Sequence, residues 1–126
     1  MPELCAFYAR EEGAPGREEV EQMLAGSTEV VVAIEQDPDS AGRLVGFTRA
    51  ISDGAFRAFV FDVLVATSHR SGGLNVRLLR ELLGRRSIAA CRRVDLLSRP
   101  EMVTFHERFG FEAVTGGVVR MERHRS

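Results

Sequence analysis

Three short stretches of the 126-residue chain carry side chains whose type and spacing could do chemistry. In HRSGGLNVRLLREL, residues 69–82, Arg70 stands two residues ahead of Gly72 and Gly73, and a leucine-rich helical pattern follows at once. The first turn of a helix carries unpaired N–H groups and a partial positive charge. Arg70, Ser71, Gly72, Gly73, Leu74 and Asn75 therefore read either as an anion-binding loop or as a helix that simply starts after a flexible turn. In FRAFVFDVLV, residues 56–65, Asp62 is the sole carboxylate of a bulky apolar run. Beside a ligand cleft such an acid could serve as a base with a raised pKa; alternatively it caps a loop or pairs with an arginine. In PEMVTFHERF, residues 100–109, His106 is either a proton-transfer group or a helix residue without a chemical task. His69 and Arg99 are weaker candidates, each either facing a ligand or lying on plain surface, and Glu107 belongs to a solvated helix face.

Composition narrows the chemistry further. Hydrophobic residues make up 44% and charged residues 28%, the balance of a folded globular domain, and the length suits one domain spanning 1–126. A net charge of −1 gives no basic field for nucleic acid or an anionic membrane. All 17 basic residues are arginine, which excludes a Schiff-base lysine and a phosphate-loop lysine. Cys5 and Cys91 fit no metal-ligand spacing and read as buried thiols in a reducing, cytoplasmic setting, so no metal is expected.

These residues need elements to hold them. PELCAFYAREEGAPGREEVEQMLAGS predicts two short helices divided by GAPG, with Leu4, Phe7, Val20, Met23 and Leu24 at helical spacing. EVVVAIE, RLVGFTRAI and FRAFVFDVLV predict three strands, the last two joined by a turn at Asp53-Gly54 and the third buried on both faces. Leu74, Leu78, Leu79 and Leu82 mark one face of a helix that should pack on the sheet. RVDLLS predicts a fourth strand, PEMVTFHERF a helix that Gly110 stops, and FEAV–TGG–VVRME a closing hairpin. The result is an α/β domain with a mixed sheet, and its central strand–loop–helix is a natural ligand position.

LVGFTRAISDG, DVLVATSHRSGGLNVRLL and LLSRPEMVTFHERFGF, in this order along the chain, resemble the acetyl-CoA-binding core of the GNAT superfamily of N-acetyltransferases, over roughly residues 28 to 122. The resemblance implies a GNAT-like mixed, mostly antiparallel sheet flanked by helices. The usual first strand is absent from that expectation, because the helical pattern starts within a few residues of Met1. It also implies that amides from Arg70 to Asn75 wrap the pyrophosphate of coenzyme A, while the strand Val63, Leu64, Val65 pairs through Val63 and Val65 with the pantetheine arm. Asn75 stands where the family has a small residue, which implies weakened binding. In FHERFGF, His106 occupies the place of the family's tyrosine, the usual proton donor to the departing thiolate.

The implied reaction is direct transfer of an acetyl group from acetyl-CoA to a primary amine of a small molecule or peptide. Asp62 is the candidate base, a backbone amide of DVLV the oxyanion donor, and His106 the acid. About a tenth of an unperturbed histidine is imidazolium near pH 7.4, so a histidine acid implies a narrow, acidic optimum. Asn75 and His106, both departures from the family pattern, equally suit a coenzyme A-binding sensor or partner module that has lost catalysis. TEVVVAIE as an exposed sheet edge implies a homodimer, through that edge or through the final hairpin.

Overall fold

The computed structural model describes residues 2–11, 15–39 and 42–125. Three consecutive runs of β-branched and aromatic residues form an antiparallel meander: β1 (Glu29–Glu35), β2 (Arg43–Ser52) and β3 (Arg57–Val65). The chain then leaves the sheet through a 3-10 turn at Thr67–His69 and the helix α3 (Leu74–Leu83). After one further helical turn, α4 (Arg86–Ala89), it returns as β4 (Arg93–Leu96), parallel to β3. The sheet order is β1-β2-β3-β4, so β3 lies inside the sheet, with strands on both sides over Arg57–Val60.

Each face of the sheet buries its own core. On one face Leu78, Leu79 and Leu82 of α3 and Ile88 of α4 pack with Val31, Ala50, Ala58 and Val60. On the other, Leu4 and Tyr8 of α1 (Pro2–Glu11) and Val20 of α2 (Arg17–Gly26) close over Phe47. The boundary expected at GAPG falls partly outside the described residues. Gly46 on β2 decides how closely α3 lies: a Cβ there would come within 2.9 Å of Leu78 Cδ1 and 3.2 Å of Leu74 Cδ2. This contact draws the start of α3 down onto the end of β3, since Gly46 pairs with Val65.

The segment after β4 follows the expected order in a tighter form: a 3-10 turn at Pro100–Met102 leads into α5 (Val103–Glu107), and Gly110 at φ +90° ends it. The closing hairpin is a correction. Gly116 and Gly117 take the positive φ values of a turn, yet FEAV and VVRME form no strands. Val114, Val118, Val119 and Met121 stay 73–89% exposed, with none of the described residues burying them, and a two-stranded hairpin without a buried face is marginal in water. Among the described residues no helix is long and apolar enough to cross a membrane.

Candidate functional site

The site begins where β3 and β4 part. Their parallel ladder covers only Arg57–Val60 against Arg93–Leu96. Beyond Val60, β3 keeps β2 on one side and, among the described residues, has no strand on the other, so Phe61–Val65 present a bare backbone edge. The opening is a cleft of about 590 Å³. Asp62, Val63, Leu64, Val65, Arg70, Asn75, Arg99 and His106 all border it, so strand, loop and α5 candidates meet in one place. Ser71, Gly72, Leu74 and His69 border a different groove, of about 670 Å³, between β1 and α3.

Asp62 is the extra residue of a β-bulge. Thr48 pairs with Val63 and the next residue, Arg49, with Phe61, which leaves Asp62 without a partner across the ladder. Side-chain parity shows the same insertion, for Val60 and Val63 both pack into the α3-side core although three positions apart. Asp62 carries φ +30°, a conformation in which Asp and Asn are over-represented. Freed from the alternation, its carboxylate turns to the α1 side. There Oδ2 accepts hydrogen bonds from Tyr8 Oη and from Arg49 Nε, the latter at 3.1 Å. Arg49 also stacks its guanidinium 4.5 Å from the centre of the Phe61 ring and donates to Tyr8 Oη at 3.2 Å.

The Asp62–Arg49 pair is mostly buried, with side chains 19% and 15% exposed. The Tyr8 phenol is pushed well above its ordinary pKa, first by burial and then by its bond to Asp62, so it remains a donor throughout the neutral range. Tyr8 and Arg49 were not legible as site residues from their sequence types alone. Their signals were positional. Tyr8 sits one helical turn after Leu4 on an otherwise apolar face, and Arg49 is the one charged side chain inside LVGFTRAI.

His106 lies half-buried on α5, with the rings of Phe105 and Phe111 edge-on to it at 5.3 and 6.3 Å. Burial lowers its pKa. Its Nδ1 is 2.8 Å from Ser98 Oγ in the connection after β4. Glu107, the next residue, is exposed, as expected of a solvated face.

The loop before α3 is built for close approach. Gly73 is the N-cap at φ +75°, with no side-chain cap, and a Cβ added there would meet nothing within 4 Å. Gly72 N–H bonds His69 O at 3.4 Å, and Arg70 folds its Nε back to within 3.4 Å of Val65 O. Asn75 does more than occupy space: its Oδ1 accepts the N–H of Val76 at 2.9 Å, which removes one donor from the first turn. His69 points away from the cleft and bonds Glu35 at 2.6 Å.

A family model for the acetyltransferase (GNAT) family matches residues 2–111 of this chain. The chain belongs to the GNAT acetyltransferase family. Among curated relatives of this GNAT domain, the uncharacterized N-acetyltransferase ycf52 of Porphyra purpurea is 30% identical over 92 residues, 73% of the chain and 53% of the relative. Serotonin N-acetyltransferase 2, chloroplastic, of Oryza sativa subsp. japonica is 32% identical over 115 residues, 90% of the chain and 58% of the relative. The GNAT family protein SP0256 from Streptococcus pneumoniae TIGR4 superposes with a TM-score of 0.72 at 26% identity, covering 98% of this chain and 91% of its own. The GNAT domain thus spans little more than half the length of these two curated relatives.

Proposed function

We propose that this GNAT domain is a cytoplasmic N-acetyltransferase that moves the acetyl group of acetyl-CoA, its donor substrate, to a primary amine of a small molecule or peptide. The observation that carries the reading is the shared lining of the β3–β4 cleft, where a bare strand edge, the approach to an uncapped helix, a bulged carboxylate and an imidazole border one space. These residues fit the donor. The backbone of Val63 and Val65 offers a strand-like partner to an amide-bearing arm, and the amides from Arg70 to Asn75 offer donors to a pyrophosphate.

Acetyl-CoA supplies an activated acyl carbon and a thiol leaving group. Asp62 takes the proton of the incoming ammonium; with Oδ2 engaged by Tyr8 and Arg49, Oδ1 is the atom for that task. A backbone amide of Asp62–Val65 donates to the oxyanion, and His106 delivers a proton to the thiolate. Much of the cleft lining is apolar, Phe7, Phe61, Leu97 and Met102 among it, which suits an amine on an apolar body better than a polar peptide. The rice relative's name points to an amine of that kind.

The test is free-thiol release from acetyl-CoA across an amine library, run beside calorimetry with acetyl-CoA alone. Binding together with amine-dependent release is expected. Binding without release returns the domain to the sensor alternative, and no binding removes the reading altogether. A homodimer belongs to the same proposal, through β1: the strand is an outer edge of the sheet, and Val32 and Ile34 on it are 49% and 45% exposed. A monomer mass by light scattering at micromolar concentration would refute that contact.

A further inference from the structure

We infer that Ser98 is a positioning residue that holds neutral His106 in its Nδ1–H form, so that Nε2 is the atom that carries a proton from the attacking nitrogen to the departing sulfur. The inference rests on the acetyltransferase reading for its chemistry and on hydrogen-bond geometry for the tautomer. A serine hydroxyl has one proton to give. With Nδ1–H both contacts are satisfied at once, Ser98 Oγ accepting from His106 Nδ1 at 2.8 Å while its own proton goes to Arg99 O at 3.0 Å, whereas in the other tautomer the single Ser98 proton could serve only one of the two. Nδ1 therefore bears the hydrogen, and in a neutral ring Nε2 bears the free lone pair. The same Nδ1–H bond survives if the ring becomes imidazolium, so in both states the proton that comes and goes is the one on Nε2.

The chemistry explains why a neutral ring serves better than a charged one. When a neutral amine attacks the thioester carbonyl, the N–C bond forms, the π pair moves to oxygen, and the nitrogen is left with a positive charge and one proton too many. Collapse re-forms C=O and breaks C–S, with the bonding pair leaving on sulfur. Nε2 accepts the surplus proton from nitrogen and passes it to sulfur. Amide and thiol result, the imidazole ends neutral as it began, and no outside acid is consumed. A donor that had to start as imidazolium would be scarce at neutral pH, since burial lowers the His106 pKa. The charged groups bordering the same cleft are Asp62 from β3, Arg70 from the loop and Arg99 from the β4–α5 connection. On α5 itself Glu107, and just beyond it Arg108, are exposed. The two arginines disfavour a second positive charge, and Asp62 is already engaged by Arg49.

The experiment pairs nitrogen NMR with kinetics on the whole chain. In uniformly 15N-histidine-labelled protein without substrate, His106 should show the Nδ1–H tautomer at neutral pH, and Ser98→Ala should shift it towards Nε2–H. Ser98→Thr should keep the wild-type pattern. In turnover, Ser98→Ala should lower kcat roughly 10-fold with both KM values within about twofold, a fraction of what general acid–base groups supply. The wild-type rate should rise with pH through the His106 pKa and then hold. An Nε2–H tautomer in the wild type, an unchanged tautomer in Ser98→Ala, or a rate that falls as pH climbs through that pKa overturns the inference. Absence of thiol release from the wild type would overturn the acetyltransferase reading alone, and the tautomer spectra would still decide the role of Ser98.

Discussion

Asn75→Ala should tighten acetyl-CoA binding, although it removes a polar side chain from the loop that resembles a coenzyme site. Asn75 is the second residue of α3, and its Oδ1 already satisfies the Val76 amide at 2.9 Å. A phosphate oxygen that needs this amide must first displace a neutral amide oxygen. Hydrogen bonds to charged groups are worth about 1.5–3 kcal/mol and neutral ones about 0.5–1.5, so freeing the donor should gain roughly 1 kcal/mol. That is about a fivefold fall in Kd. The fold should be indifferent: alanine is the better helix former by roughly half a kcal/mol, which offsets the lost local bond. Titration calorimetry with acetyl-CoA reads the affinity and a thermal melt reads the fold. Asn75→Asp supplies the opposite pattern, since a carboxylate in a first helical turn favours the helix dipole yet repels a phosphate, so Tm should hold or rise while Kd weakens. If Asn75→Ala binds no better than wild type and Asn75→Asp no worse, the first turn of α3 is not where the phosphates sit.

Two further outcomes follow from single contacts. Gly73→Asp should nearly abolish acetyl-CoA binding, and Gly73→Ala separates the causes: both carry the strain of φ +75°, but only Asp adds charge, so calorimetry showing equal loss in the two would refute the electrostatic account. Thr48→Val should raise Tm by roughly 3 °C or more, because Thr48 Oγ1 is fully buried with no hydrogen-bond partner among the described residues and an orphaned hydroxyl costs about 1 kcal/mol or more; a lower Tm would mean that the hydroxyl is satisfied.

Local chemistry was legible wherever one stretch of sequence determines it. EVVVAIE gives β1 at both ends as written, and the leucines of α3 point to the face that is buried. The start of α3 at Leu74 was readable because the glycines and the leucine pattern that follows them are neighbours in sequence. What escaped were relations between distant segments. Tyr8 reaches Asp62 across 54 positions, and no periodicity within α1 says that its phenol ends on a strand. The bulge was equally hidden, because FRAFVFDVLV reads as one unbroken strand and only the β2 register shows that one residue is surplus. The closing hairpin fails for the complementary reason: FEAV–TGG–VVRME has the turn residues and the apolar content, but strand formation needs a surface to cover, and local sequence does not carry that information.

The bulge makes a sharper prediction than any point substitution. If Asp62 is surplus to the ladder, deleting it should leave Phe61 opposite Arg49 and Val63 opposite Thr48, with the two faces now alternating regularly and no slip in the rest of β3. The deletion removes the strain of a non-glycine residue at φ +30°, of order 1–3 kcal/mol, and strands Arg49, whose loss of a partner in a mostly buried pair costs about 3–5 kcal/mol. The net loss is then about 2 kcal/mol, reduced further because Arg49 keeps its stacking on Phe61. A cooperative melt several degrees below wild type should result, and Arg49→Leu in the deletion background should recover much of it by removing the stranded charge. Acetyl-CoA should still bind, since the bare edge at Val63–Val65 survives, while amine-dependent thiol release should be lost. Asp62→Asn, which keeps the bulge but not the carboxylate, should match it in lost turnover and melt between the deletion and wild type, since the amide oxygen can still accept from Arg49 Nε although the opposite charge is gone. A deletion variant that stays folded but no longer binds acetyl-CoA would show that the bulge shapes the donor's strand edge, and that its service to the carboxylate is secondary.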